Sequence, residues 1–102
     1  MAKRFVVWTE TTVKQRREIL KYWTIRNGST KYAEKLIGLI KERLDLVVVY
    51  PEGCKAAEYP ETREAALGNF SIYYQIQIDR IIINAFWDNR QDPKKLLDLL
   101  SK

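Results

Sequence analysis

The chain has 102 residues, enough for one hydrophobic core, and we expect a single domain over residues 1–102. Hydrophobic residues make up 46% and charged residues 30%, a composition typical of globular proteins and unlike that of disordered chains. It carries 18 Lys and Arg against 13 Asp and Glu, one cysteine and no histidine, which excludes an internal disulfide, Ser-His and Cys-His nucleophilic schemes and the usual zinc sites.

The first predicted elements are a strand and a helix. The strand, KRFVVWT, Lys3 to Thr9, is apolar on both faces and is expected to lie centrally in a sheet. Thr9 or Thr12 can cap the helix, and Thr12 with Gln15 fits the S/T-x-x-E/Q capping box. Asn27-Gly28 is a typical helix stop. The predicted apolar stripe of this helix is Val13, Ile19, Leu20 and Trp23.

A second helix is predicted from Ser29 or Thr30 onwards, ended by Pro51-Glu52-Gly53. Apolar residues recur there with helical spacing, which predicts a core-facing stripe. Its members are Ala33, Leu36, Ile37, Ile40, Leu44 and Val47. From Cys54 to Glu61 the composition is typical of a loop.

The segment TREAALGNFSIYYQIQIDRIIINAFWD predicts a β-meander with turns at Gly68-Asn69 and Asp79-Arg80. Its middle strand alternates, which predicts one buried and one polar face. The last strand is predicted to carry Ile81, Ile83, Ala85 and Trp87 on one face and Ile82, Asn84 and Phe86 on the other. Since Phe86 and Trp87 then point to opposite faces, only one of them is expected in the core. Asp92-Pro93 is typical of a cap and first residue of a short C-terminal helix or tail.

This order, β-α-α-β-β-β, predicts an α+β fold with a single antiparallel-rich sheet and two helices over one face. Trp8 and Trp23 fit core positions, and the basic first-helix face fits either solvent or an acidic partner. No apolar run approaches membrane-spanning length, so a cytoplasmic protein with no membrane partner is expected.

Several stretches together resemble the RelE/ParE superfamily of toxins from type II toxin-antitoxin systems. They are WTETTVKQRREILKYW, the Pro-Glu-Gly turn, an arginine in the first meander strand, GNFSIYYQI and IINAFWDNRQDP. The chain is most similar to the branch whose members end near FWDxRQDP. The resemblance implies a small basic toxin neutralised by a cognate acidic antitoxin that adds a strand and docks a helix on the sheet or on the helical hairpin. It also implies one of two targets, the ribosome with its mRNA (RelE-like) or DNA gyrase (ParE-like).

RNA cleavage needs a base, an acid and a group that stabilises the developing phosphate charge, and without histidine these roles fall to Lys, Arg and Tyr. Arg90 occupies the position, just after the last strand, where the resemblance implies an arginine of the ribonuclease members. Together with Arg63 and Tyr73 it forms our candidate catalytic set, and no cofactor or metal is expected. Against this, the resemblance implies an arginine where Ser71 stands and a tyrosine near Leu96, so two ribonuclease roles look vacant.

Each candidate also has a structural interpretation. Arg90 can pair with Asp88 or Asp92, and Arg63 can occupy an exposed position of the sheet. Tyr73 is expected to reach solvent or a ligand, and Lys55 is the only nearby lysine for acid-base chemistry. Three functions therefore remain open from the sequence: mRNA cleavage on the ribosome, gyrase inhibition, and a non-toxic relic that only binds antitoxin.

Overall fold

The computed structural model describes residues 4–100, and it has the predicted α+β architecture. The two long helices and the short C-terminal helix pack against one five-stranded sheet. In chain order the elements are β1 Phe5–Trp8, α1 Glu10–Asn27, α2 Lys31–Val49, a 3₁₀ turn Pro51–Gly53, β2 Lys55–Ala56, β3 Arg63–Leu67, β4 Phe70–Ile76, β5 Arg80–Asp88 and α3 Pro93–Leu100. The two-residue strand β2 lies in the segment predicted as a loop.

The sheet order is β1-β5-β4-β3-β2. β2 to β5 pair in antiparallel fashion, while β1 pairs with β5 in parallel. The prediction of a central β1 is wrong, because β1 forms an edge and Phe5 is 51% exposed. In the described part of the chain β1 pairs with β5 alone, and the apolar residues on its two faces indicate what packs above and below the sheet, not how many strands lie beside it. Lys3 lies outside the described residues.

α1 begins with Thr9 as its N-cap and ends at Gly28, whose φ of 63° suits glycine. The Thr12–Gln15 capping box is wrong. The Thr12 amide donates to Thr9 Oγ1, while the Thr12 hydroxyl donates to the Ile83 carbonyl at 3.0 Å. Gln15 instead accepts from the Phe86 amide, so both polar side chains join α1 to β5 rather than to its own end.

α2 buries most of its predicted stripe, namely Ala33, Leu36, Ile40, Leu44 and Val47. Ile37 was also assigned to this face, but it is 51% exposed because it lies at the margin of the buried arc. The helix ends before Pro51, as predicted, and the Tyr74 hydroxyl ties the following turn to the sheet by donating to the Pro51 carbonyl at 2.6 Å. α2 thereby covers the centre of the sheet.

β5 carries a bulge that reverses which residues face the long helices. Tyr74 pairs with Ile83 and Tyr73 with Ala85, which leaves Asn84 as the extra residue. Before the bulge Ile83 faces the main core, and after it Phe86 does, while Ala85 turns to the second face. The predicted strand faces, with Ile81, Ile83, Ala85 and Trp87 together, are therefore wrong from residue 85 onwards.

The second face of the sheet is covered by α3, which is capped by Asp92 as predicted. Leu96 packs there against Tyr73, Ala85 and Trp87. Phe86 and Trp87 are consequently both buried, at 1% and 9% exposure, and the expectation that only one would be buried is wrong. Across residues 4–100 no helix combines the length and apolarity needed to cross a lipid bilayer.

Candidate functional site

A cleft of about 730 Å³ opens between α1 and the end of β5. Its α1 wall is formed by Gln15, Glu18, Ile19, Tyr22, Trp23 and Arg26, and its other wall by Phe86, Trp87, Asp88, Arg90 and Gln91. We refer to these eleven residues as the α1–β5 cleft. It contains Arg90, the first of the candidate catalytic residues.

Arg90 lies just beyond β5, and its guanidinium donates two parallel hydrogen bonds to the Asp88 carboxylate. The distances are 2.9 Å from Nε to Oδ1 and 2.7 Å from Nη2 to Oδ2, and the Arg90 amide also donates to Oδ1 at 3.0 Å. Its guanidinium carbon lies 5.0 Å from the Trp23 ring centroid. The pairing of Arg90 with Asp88 agrees with the structural interpretation, while half of the Arg90 side chain stays exposed. The contact with Trp23, which joins the end of β5 to α1, was not predicted.

Trp23 is the centre of an aromatic cluster at this end of α1. Tyr22 meets it edge-on at 5.3 Å between centroids and Tyr32 at 5.2 Å, while the Arg26 guanidinium lies 5.7 Å from its ring. Trp23 contributes to the core, as predicted, but it also forms the floor of the α1–β5 cleft between two guanidinium groups. Arg26 bonds Tyr22 Oη at 3.3 Å and is otherwise open to solvent.

Gln15 is a cleft residue that sequence reasoning assigned to the wrong role. Its Oε1 accepts from the Phe86 backbone amide at 3.0 Å, on the edge of β5 that no strand covers. Only the fold reveals this partner, since 71 residues separate the two in sequence. The only sequence signal for this contact was a polar glutamine next to the apolar residues of α1.

Arg63 lies in β3, away from this cleft. Its Nη1 donates to the carbonyl of Cys54 at 2.7 Å and to that of Glu52 at 3.3 Å. It is half-buried rather than a freely exposed sheet residue, and it fastens the turn after α2 to the sheet. Both contacts are structural.

Tyr73 is buried under α3, at 7% exposure, so it does not reach solvent. It does line a second cavity of about 400 Å³, and the alternative expectation that it meets a ligand stays a prediction. Burial, together with the neighbouring Glu64 carboxylate, raises the pKa of its hydroxyl. Ser71, on the same strand face, donates to Glu64 at 2.7 Å, and Lys55 lies 3.5 Å from the other oxygen of that carboxylate. A carboxylate thus dominates this region of the second face.

The three candidate catalytic residues are not brought together. Arg63 belongs to the face covered by α1 and α2, where it pairs in register with Tyr74, whereas Tyr73 lies on the opposite face under α3. Arg90 stands beyond the end of β5 beside α1. Within residues 4–100 no group of three His, Cys, Asp or Glu side chains could hold a metal ion.

The Asp88–Arg90 pair predicts a specific acid sensitivity. Hydrogen bonding from the Arg90 side chain lowers the pKa of the Asp88 carboxyl below its ordinary value of about 4. The stabilisation is therefore complete above that ordinary value and is lost as pH falls through the lower, folded-state pKa. We expect Asp88→Asn to lower the unfolding free energy at pH 7 by no more than about 1 kcal/mol and to flatten its decline below pH 4.

Chemical denaturation of Asp88→Asn and the unmodified chain between pH 2 and 7 measures this effect. Asp45→Asn is the matched control, because Asp45 pairs with Lys41 on an exposed part of α2. If both variants keep the acid decline of the unmodified chain, Asp88 does not contribute as described.

Comparison with known proteins gives a family match and likenesses to solved structures. A family model described as "ParE toxin of type II toxin-antitoxin system, parDE" matches residues 6–93. A solved structure described as the chromosomal ParDE TA system from P. aeruginosa superposes with a TM-score of 0.69 at 19% identity, covering 82% of this chain and 92% of that one. At this identity the likeness concerns the fold alone. No curated protein matches the sequence.

Proposed function

Since this chain belongs to the ParE toxin family of type II toxin-antitoxin systems, we propose that it arrests growth in the cytoplasm by binding DNA gyrase rather than by cutting RNA. The observation that carries this proposal is the separation of Arg63, Tyr73 and Arg90. A ribonuclease needs an acid, a base and a phosphate-binding group close together, whereas an inhibitor that only binds its target needs a complementary surface.

Each of the three side chains is also occupied in a way that opposes catalysis. Arg63 is bound to two carbonyl groups, and Arg90 is bound to Asp88 through the Nε–Nη2 edge of its guanidinium. Tyr73 would need a lowered pKa to act as a base near neutral pH, whereas its pKa is raised. None of these groups is poised to take or give a proton.

The positions that the family resemblance marks as vacant support the same proposal. Ser71 is fully buried and donates to Glu64, and Leu96 is a core residue of α3. Where the resemblance implies an arginine that would attract a phosphate group, this chain holds Ser71 bonded to the Glu64 carboxylate, which also pairs with Lys55. This second face of the sheet is therefore ill suited to RNA.

Supercoiling by purified gyrase tests the proposal directly. We expect addition of the purified toxin to inhibit supercoiling in a concentration-dependent manner, and premixing with the cognate antitoxin to restore it. Unchanged supercoiling at a large molar excess of toxin would remove gyrase as the target.

Ribosome-dependent mRNA cleavage is the second candidate, favoured by the two guanidinium groups of Arg26 and Arg90 at one cleft. A bidentate arginine suits a phosphate oxygen pair, but Arg90 would first have to leave Asp88. This candidate fails if purified toxin leaves translated messenger intact on ribosomes. A protein inactive in both assays that still binds antitoxin would be the non-toxic relic.

The antitoxin partner suits the outer edge of β1. Phe5 and Thr9 donate their amides to β5, so the alternate residues Val6 and Trp8 direct theirs to the open edge. Two guanidinium groups add positive charge beside this strand: Arg16 lies over Trp8 at 4.4 Å, and Arg4 donates to the Gln77 carbonyl. Arg80 lies over Phe5 at 5.0 Å but is already paired with Asp79. An extended acidic segment would pair with the edge and complement its charge.

Val6→Pro is expected to weaken antitoxin binding by about tenfold, because it removes an open-edge amide while leaving the ladder to β5 intact. Titration calorimetry with the purified antitoxin measures the change. Val6→Ala is the control, since it loses the same packing but keeps the amide. Equal affinities of the two variants would place the antitoxin strand elsewhere.

A further inference from the structure

The α1–β5 cleft lies along a strand edge that the fold leaves unpaired. β1 accompanies β5 only as far as the pair Trp8–Ile83, and the last rung is the Thr9 amide on the Ile83 carbonyl at 3.3 Å. The chain then turns into α1, while β5 continues to Asp88. Beyond Ile83 this edge of β5 therefore faces a helix and not a strand.

Two α1 side chains stand in for the missing strand. Thr12 donates to the Ile83 carbonyl, and three residues further along the helix Gln15 accepts from the Phe86 amide. Thr12 is fully buried, whereas Gln15 is only half-buried and lines the cleft. Of the two substitutes, Gln15 is the one that an incoming molecule can reach.

The main-chain polar groups of Phe86 point into the cleft. In a β-strand the amide and carbonyl of one residue point to the same side. Because the Phe86 amide points to Gln15, its carbonyl points to the same open side. Two residues on, the Asp88 amide repeats this direction, while the Asp88 carbonyl accepts from the Gln91 amide at 3.0 Å. The cleft thus offers the alternating donors and acceptors to which another extended backbone pairs.

The charges of the cleft favour a peptide over a nucleic acid. Glu18 and Asp88 offset Arg26 and Arg90, and the bidentate pair already neutralises Arg90. A nucleic-acid site needs a positive excess along the phosphate path, which this cleft lacks. The partly buried side chains of Ile19 and Trp23 give it instead an apolar floor suited to side chains of an extended segment.

We propose that the α1–β5 cleft receives an extended segment of gyrase protein, which pairs with β5 at Phe86 and displaces the Gln15 side chain. This inference rests on the proposed function and specifies how that target is held. Gln15 keeps the Phe86 amide satisfied in the free toxin and gives it up to the backbone carbonyl of the target.

Substitution of Gln15 tests this exchange, because the free toxin and the complex should respond in opposite directions. Gln15→Leu leaves the Phe86 amide without a partner in the free toxin, and the target restores one. We expect a lower melting temperature but half-inhibition of gyrase at about fivefold less toxin. Gln15→Glu binds the amide more strongly and should need about fivefold more toxin.

The outcomes separate the inference from the proposed function. No gyrase inhibition by the unmodified toxin would overturn both. Inhibition that Gln15→Leu weakens or leaves unchanged would overturn the inference alone, because Gln15 would then be merely structural. If Gln15→Leu strengthens antitoxin binding but not gyrase inhibition, the cleft binds the antitoxin, and this result would also overturn the inference.

Hydrogen exchange of the same complex provides an independent test. We expect gyrase to slow amide exchange across residues 84–91 of the toxin, while the exposed residues around Ile78, at the opposite end of β5, keep their rate. Protection of residues 84–91 by DNA alone, or no protection by gyrase, would contradict the inference.

Discussion

Trp23→Ala is expected to raise the toxin concentration needed for half-inhibition of gyrase by about thirtyfold or more. Trp23 forms the cleft floor and contacts Tyr22, Tyr32, Arg26 and Arg90. A central aromatic side chain of this kind carries about 2 kcal/mol or more of binding energy when it is truncated at an interface. The supercoiling assay measures the change.

Ile25→Ala is the matched control for this substitution. Ile25 is on the same helix and 70% exposed, but it is not part of the cleft. Far-ultraviolet circular dichroism must show that both variants are folded at the assay temperature. A folded Trp23→Ala toxin that inhibits as strongly as Ile25→Ala would show that the target does not bind in this cleft.

Phe70→Ala is expected to lower the free energy of unfolding by about 3–5 kcal/mol, the largest stability effect that we predict. Phe70 is 1% exposed and stacks on Phe86 at 5.5 Å between ring centroids, at the end of the sheet next to Arg90. Truncation leaves a cavity beside Phe86 in the main core. The melting temperature should fall by more than about 12 °C.

Phe5→Ala is the matched control, because it removes the same side chain from a position on the edge strand β1 that is 51% exposed. We expect its cost to stay below about 1 kcal/mol. Similar denaturation midpoints for the two variants would contradict the placement of Phe70 in the core.

The elements that depend on neighbouring residues could be predicted from the sequence, and those that depend on long-range contacts could not. Local signals sufficed for the Gly28 stop, the stripe on α2 and the Asp92 cap, because each depends on residues within one or two turns. β1 was misplaced because apolar faces say nothing about how many strands lie beside it. Its position depends on the immediate turn into α1.

The bulge at Asn84 caused the other errors around the site. A regular strand has period two, so one extra residue moved Ala85 and Trp87 to the second face. That face was expected to be polar, but α3 covers it, which buries Ser71 and Tyr73. Pattern analysis of β4 alone cannot reveal a helix that packs on it from twenty residues away.

The site was predicted only in part. Arg90 was found, together with its pairing to Asp88, because both lie within three residues of each other. Trp23, Arg26 and Gln15 belong to α1 and reach the same cleft only through the α1–β5 packing. The joint catalytic role of Arg90, Arg63 and Tyr73 remains a prediction, and their separation in the fold favours binding instead.

Inducible expression in a bacterial host tests the central claim most directly, with the unmodified chain beside Arg90→Ala, primer extension on abundant messengers and plasmid supercoiling from the same cells. The account predicts that growth stops, that the messengers stay intact and that supercoiling changes. Arg90→Ala should weaken the effect without altering its kind, because Arg90 holds a cleft wall. Growth arrest with in-frame cuts in the messengers that vanish with Arg90→Ala would contradict the account and make the protein a ribonuclease.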